Sequence, residues 1–271
     1  MKLVLMGTPE FVVPIFDELA NAHEIIAVFT RAPKPTGRKM ILTKTPVHIW
    51  AENRGFDVYT SIKDFDKLRI KHSEFSIIVI AYGVILKDNV LNAAPCVNVH
   101  PSILPLYRGP SPITAAIING DAESGVCIMR MVAEVDAGDV YLCEKFPIGE
   151  NEVAADVEAR VSEIAPRLLL EYLAAPEKYP GEPQDNSKAT FTKKITNADT
   201  IIDWTKSPRD IHNQIRAIGG RTKINDIDCK ILKTHIENDK LVIDIIQPAG
   251  KKAMSWKEFK NGLKDKEIKL G

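Results

Sequence analysis

The chain has 271 residues, of which 45% are hydrophobic and 27% charged. That length exceeds one ordinary core and that composition is usual for globular proteins in water, so a large domain followed by a smaller one is expected. No run approaches the roughly 18 apolar residues of a membrane span, residues 1–6 are too short for a signal segment, and a cytoplasmic, non-membrane monomer is predicted. The 36 basic residues balance 36 acidic ones overall, but residues 204–271 hold 15 Lys and Arg against 9 Asp and Glu, net +6, which excludes a uniformly basic nucleic-acid binder and makes the C-terminal part the basic one.

In chain order, short β-branched runs alternate with helical patterns, the signature of an α/β fold with a Rossmann-like open, mostly parallel sheet. Strands are predicted over 2–6, 25–30, 57–60, 77–81, 97–100, 126–131 and 140–146, with helices over 10–21, 46–54, 84–92 and 112–119. Pro46 and Pro112 suit a first helical turn, where a missing N–H costs nothing. The turn after the first strand, Gly7-Thr8-Pro9-Glu10, lacks the further glycines of a dinucleotide fingerprint, so neither a nicotinamide nor a flavin cofactor is expected. Residues 31–44 hold Arg31, Lys34, Arg38, Lys39 and Lys44 with no acid, a pattern that suits a solvated loop or a partner-binding one.

A helix over 153–174, broken or kinked near Pro166, closes a first domain over 1–176. Residues 177–203, rich in proline at their start, read as a linker. The remainder, 204–271, offers a helix over 208–218, strands over 228–236 and 240–246, a turn at Pro248-Ala249-Gly250-Lys251-Lys252 and a helical tail over 256–264, hence a small β-rich domain. The four cysteines, Cys96, Cys127, Cys143 and Cys229, stand far apart without CxxC or metal-ligand spacing, which predicts reduced thiols and no metal.

The stretch CVNVHPSILPLYRGPSP, residues 96–112, carries the most chemistry. In a strand, Asn98 and His100 lie two apart and point to one face, placing an amide beside an imidazole at the carboxyl end, where open sheets bind ligands. Such a pair can hold a developing oxyanion and move a proton. An acidic loop at 133–139 supplies Asp136, able to orient the imidazole. Taken alone, His100 also fits a structural strand-end histidine and Asp136 a turn former before glycine; spacing does not choose between the readings.

The chain resembles the 10-formyltetrahydrofolate-dependent formyltransferases, in particular the branch acting on methionyl-tRNA. Seven segments carry the resemblance in order: MGTPEF, VFTRAPKPTGRK, VIAYGVIL, VNVHPSILPLYRG, GDAESGVCIMRM, VDAGDV and QPAGKKAM. It implies Asn98, His100 and Asp136 as catalytic residues. It also implies 10-formyltetrahydrofolate as formyl donor, bound by Ser102, Ile103, Leu104 and Pro105 with Tyr82, Gly83 and Val84, and requires no metal. The acceptor implied is the α-amine of initiator methionyl-tRNA, met by Arg31, Lys34, Arg38, Lys39 and Lys44, with Arg38 foremost, and by a basic C-terminal surface including Lys251 and Lys252. Two departures stand out. Residues 216–221 read Arg-Ala-Ile-Gly-Gly-Arg where the family has an aromatic, proline-containing stretch, and the segment from there to QPAGKKAM is shorter by about two strands, so a shortened, barrel-like C-terminal domain is expected. The rival readings are a nucleotide-sugar N-formyltransferase, a hydrolase releasing formate from the same donor, and a noncatalytic RNA-binding protein on this fold.

Overall fold

The structure, a computed structural model, describes all residues except Arg38, Ser73, 264–267 and 270–271, and leaves the side chains of Arg69 and Ile70 undescribed. Two compact units emerge: Met1–Pro110 with Gly125–Lys145 and Glu158–Thr192, and Ser111–Ser124 with Phe146–Val157 and Lys193–Gly271.

The elements run, in order, β1 (Lys2–Gly7), α1 (Val12–Ala22), β2 (Glu24–Phe29), β3 (Lys34–Thr36), β4 (Ile41–Thr43), α2 (Pro46–Asn53), β5 (Val58–Tyr59), α3 (Phe65–Lys71), β6 (Ser76–Ile80), α4 (Asp88–Leu91), β7 (Cys96–His100), α5 (Pro112–Asn119), β8 (Glu123–Arg130), β9 (Val140–Pro147) and α6 (Ala154–Ala174). A seven-stranded sheet has the order β5-β2-β1-β6-β7-β8-β9. The first five of these strands are parallel and β8 runs antiparallel to β7. Leu3, Val4, Leu5 and Met6 of β1 are all fully buried, because a central parallel strand is covered on both faces and reads as an unbroken apolar run. On one face Val4, Met6, Phe29 and Val79 pack with Phe65 and Phe75. The chain builds outward through β2 and β5, then returns to place β6 on the other side of β1, which makes the carboxyl ends of β1 and β6 a switch point where loops diverge and leave a crevice.

Local chemistry explains the helix starts. Thr45 accepts a hydrogen bond from the His48 N–H and is followed by Pro46, so α2 begins with one orphan donor capped and another removed. Pro166 lies inside α6, which is one helix, although proline withdraws the N–H that would bond the Ser162 carbonyl.

Several expectations are corrected. The helix expected over 84–92 is only Asp88–Leu91: Ala81 and Gly83 both take positive φ, and the reversed chain leaves Ile85 84% exposed, so the apolar run is a turn wall rather than a helix face. Residues 31–44 contain a hairpin, β3 paired with β4. Helix α3 had no counterpart in the sequence reading, because its seven residues are too few to show a period. Cys127 and Cys143 are joined as a disulfide, with Cα atoms 4.1 Å apart, against the expectation of four reduced thiols. Strands β8 and β9 lie side by side and bring into contact two cysteines that are sixteen residues apart in sequence. Cys96 and Cys229 are free and buried.

The second unit contains α5, α7 (Pro208–Ile218) and the four-stranded sheet β10 (Gly220–Ile224), β11 (Ile227–Glu237), β12 (Lys240–Pro248) and β13 (Met254–Ser255), with α8 (Trp256–Gly262) following. Its strand order is β10-β11-β12-β13 and its observed pairings are antiparallel. Ile211 and Ile215 of α7 pack with Ile224, Ile231 and Ile246 of the sheet. The α7 face is anchored by polar side chains as well. Arg216 donates to the carbonyls of Gly149, Glu152 and Ile117, and His212 bonds the Thr234 hydroxyl and the Glu150 carbonyl. Strand β10 has no counterpart among the predicted strands; a Cβ at Gly220 would stand 2.5 Å from Ile202 Cδ1, so the glycine marks a close approach within a strand. Lys264, the end of the expected helical tail, lies outside the described residues.

Candidate active site

Strand β7 has β6 on one side and β8 on the other, and Asn98 and His100 are 8% and 3% exposed. Asp136, on the loop between β8 and β9, meets both. Its Oδ1 accepts from Asn98 Nδ2 at 3.4 Å, and its Oδ2 lies 3.6 Å from His100 Nδ1 and accepts from the Gly109 N–H at 2.8 Å. Asp136 takes a φ of +49°, a left-handed conformation that Asp tolerates better than most residues and that persists where surroundings enforce it.

The other ring nitrogen of His100, Nε2, is 3.0 Å from the Tyr107 carbonyl. A carbonyl only accepts, so Nε2 carries a hydrogen and the neutral ring turns a bare Nδ1 toward Asp136. Burial pulls the His100 pKa below the ordinary histidine range, outweighing the Asp136 carboxylate and the Tyr107 carbonyl, which raise it; Arg108 adds a further downward push. The imidazole is therefore neutral near pH 7, with Asp136 placed to favour a proton arriving at Nδ1.

A second layer escaped the sequence reading. Arg108, 1% exposed, donates through Nε and Nη2 to Gln184 Oε1 at 3.0 and 2.9 Å, and through Nη2 to Asn186 Oδ1 at 2.7 Å. The segment after α6 also bonds the 105–109 loop along its main chain: Arg108 N to the Thr190 carbonyl and Thr192 N to the Arg108 carbonyl. Arg108 lies inside VNVHPSILPLYRG, yet nothing local reveals a partner 76 residues away.

The remaining candidates fall in separate places. Ser102 is fully buried and its hydroxyl donates to the Leu106 carbonyl at 2.6 Å, so its side chain closes the turn, while Ile103, Leu104 and Pro105 are half-buried. Tyr82 is buried, its hydroxyl pKa pushed up to about 12 by desolvation, and its carbonyl accepts from Thr8 Oγ1. Gly83 and Val84 are exposed beside it. These residues follow the carboxyl ends of the neighbouring strands β6 and β7.

Among the basic candidates, Lys34 lies on β3 and Lys39 at the tip of the hairpin, both exposed. Arg31 donates to the Gly83 carbonyl at 3.5 Å and Lys44 pairs with Glu52. Arg38 lies outside the described residues. The same tip exposes Met40, Ile41 and Leu42, which the emphasis on charge passed over. Lys251 and Lys252 are exposed in the turn after β12.

Comparisons with known proteins place the chain. The formyl transferase family matches residues 1–173 and its C-terminal domain matches 194–241. The methionyl-tRNA formyltransferase of Cereibacter sphaeroides is 34% identical over 97% of this chain and 96% of its own length; that of Rickettsia bellii is 33% identical over 97% of each. Among solved structures, the fold matches methionyl-tRNA formyltransferase from Clostridium thermocellum with a TM-score of 0.66 at 15% identity, covering 92% of this chain and 98% of that one. It also matches an N-formyltransferase from Helicobacter canadensis, complexed with folinic acid and dTDP-3-aminofucose, with a TM-score of 0.67 at 21% identity over 88% of both chains. With a matching family domain across most of its length and full-length relatives above 30% identity, the chain belongs to the formyl transferase family.

Proposed function

We propose that this enzyme transfers the formyl group of 10-formyltetrahydrofolate to the α-amine of initiator methionyl-tRNA, with Asn98, His100 and Asp136 as the catalytic residues. The observation that carries the reading is the convergence of the Asn98 amide, the His100 imidazole and the Gly109 N–H on the Asp136 carboxylate, in a chain whose full-length relatives are methionyl-tRNA formyltransferases.

The chemistry follows from this arrangement. Addition of a neutral amine to a formyl carbon builds negative charge on oxygen and positive charge on nitrogen. Asn98 offers an amide N–H to the oxygen, and a hydrogen bond waiting there is strengthened in a site from which water is excluded. The amine must lose a proton, and the Asp136 carboxylate with the bare Nδ1 of His100 beside it forms the acceptor. Because burial keeps His100 neutral beforehand, it can take that proton and return it to the departing nitrogen, with no covalent enzyme intermediate.

The ring system of the folate donor is assigned to buried Tyr82, exposed Gly83 and Val84, buried Ser102 and the half-buried Ile103, Leu104 and Pro105. Acceptor binding is assigned to Arg31, Lys34, Arg38, Lys39 and Lys44 and to Lys251 and Lys252, since neutralising phosphates supplies most nonspecific RNA affinity. Residues 1–176 are assigned to catalysis, with residues of the 177–203 segment bonded to the loops at 105–109 and 136–138, and the basic residues 204–271 to RNA, in a cytoplasmic monomer. No helix among the described residues is long and apolar enough to cross a membrane.

Steady-state kinetics of Arg38→Ala test the division of labour: the KM for methionyl-tRNA rises sharply while that for the folate donor stays unchanged. Equal loss of both would overturn it.

A further inference from the structure

The segment after α6 contributes one side chain that reaches the loop bearing Asp136. Gln184 Nε2 donates to the Asp136 carbonyl at 2.9 Å and to the Gly138 carbonyl at 2.7 Å. Its Oε1 receives two hydrogen bonds from the Arg108 guanidinium. All polar atoms of one amide are thus used, and each use constrains the next. Arg108 fixes which end of the amide is oxygen, so both amide hydrogens point at the loop. A cationic donor on Oε1 also polarises the amide and strengthens its N–H bonds.

The loop needs such a grip. Asp136 has positive φ without being glycine, a strained conformation that persists only where surrounding contacts over-determine it. Two residues on, Gly138 presses against β8 so closely that a Cβ would lie 2.1 Å from the Arg130 carbonyl oxygen. The turn from 136 to 138 is therefore held between β8 and the Gln184 amide. The carboxylate it carries is the group on which Asn98, His100 and Gly109 converge.

We propose that Gln184 is a positioning residue for formyl transfer: by holding the main-chain carbonyls of Asp136 and Gly138, with its own amide oriented by Arg108, it sets the place of the Asp136 carboxylate. The inference rests on the reading that Asp136 acts in the transfer. It makes the segment after α6 part of the catalytic apparatus, acting through Asp136.

Gln184→Glu separates this role from a merely structural one. A glutamate keeps, and strengthens, the acceptor for Arg108, but it turns a carboxylate oxygen toward two carbonyl oxygens in place of two N–H donors. The positioning role predicts that Gln184→Glu and Gln184→Ala both lower kcat by about 10- to 100-fold, the scale of a misplaced catalytic group. KM for the folate donor and for methionyl-tRNA stays near the parent value, and Gln184→Glu remains folded at the assay temperature, as read by circular dichroism. Single-turnover rates at saturating substrate keep slow variants measurable, and Asp136→Asn completes the cycle: once the carboxylate is gone, adding Gln184→Glu brings little further loss. Parental kcat in Gln184→Glu beside an impaired Asp136→Asn would overturn the inference and leave the catalytic reading standing, as would a Gln184→Glu loss undiminished in the Asp136→Asn background. Parental kcat in Asp136→Asn would overturn both.

Discussion

Gly109 joins backbone geometry to catalysis in one residue, and Gly109→Ala tests that junction. Its φ is +113°, a region nearly closed to residues with a Cβ, and a Cβ there would meet the carbonyl oxygen and the Oγ1 of Thr192, each at 2.8 Å. Either the segment at Thr192 moves, an overpacking cost of about 1–3 kcal/mol, or the loop rotates and loses the Gly109 N–H bond to the Asp136 carboxylate, about 1.5–3 kcal/mol for a bond to a charged acceptor. Gly55 is the control: it also has positive φ, 75°, but a Cβ there meets nothing within 4 Å, so Gly55→Ala pays only conformational strain, about 1–2 kcal/mol. Gly109→Ala is therefore expected to melt lower than Gly55→Ala by roughly 2–12 °C, taking about 2–4 °C per kcal/mol for a chain of this size. Its kcat falls as well, since Asp136 loses a donor, whereas Gly55→Ala keeps the parent kcat. Thermal melts read by circular dichroism, paired with formyl-transfer rates, check both halves. Gly109→Ala as stable and as active as Gly55→Ala would refute the argument.

Three further outcomes are expected. Asn98→Ala lowers kcat about 100- to 1000-fold, the usual loss of an oxyanion donor, with KM for both substrates little changed; a parental kcat would remove Asn98 from the chemistry. His212 is held below the ordinary histidine range, first by burial and further by Arg216, Arg209 and His235, against the Glu150 carbonyl. A base with a depressed folded pKa binds fewer protons than the unfolded chain, so its contribution to stability is complete above about pH 6.5 and is lost as pH falls toward the folded value; urea midpoints at pH 7.5 and 5.5 should separate less in His212→Gln than in the parent, and an equal separation would contradict this. Replacing Lys251 and Lys252 together with alanine should flatten the salt dependence of methionyl-tRNA binding by about one to two units of log–log slope, whereas an unaltered slope would make them a solvated turn.

The parallel sheet was legible because β1, β6 and β7 are buried on both faces and so appear as continuous apolar runs. The pairing of Asn98 with His100 was legible because strand geometry sends alternate residues to one face. Asp136 was a candidate from its loop and its family resemblance, but its contact with the Gly109 N–H depends on a loop meeting a loop 27 residues away. Arg108 and Gln184 were invisible for the same reason at greater range. A buried arginine announces itself only through its partners, and these lie in a proline-rich stretch whose composition reads as linker. The hairpin of β3 and β4 has three-residue strands with every position exposed, so no burial pattern existed to reveal it. The alternation in β10, with Gly220, Thr222 and Ile224 inward, was present in the sequence but masked by its glycine.

The most direct test is formyl transfer from 10-formyltetrahydrofolate by the parent enzyme, with initiator methionyl-tRNA, elongator methionyl-tRNA and an amino-sugar nucleotide offered in parallel. Rapid, selective formylation of the initiator is the predicted result; transfer only to the sugar nucleotide, or release of formate with no acceptor formylated, would contradict the account.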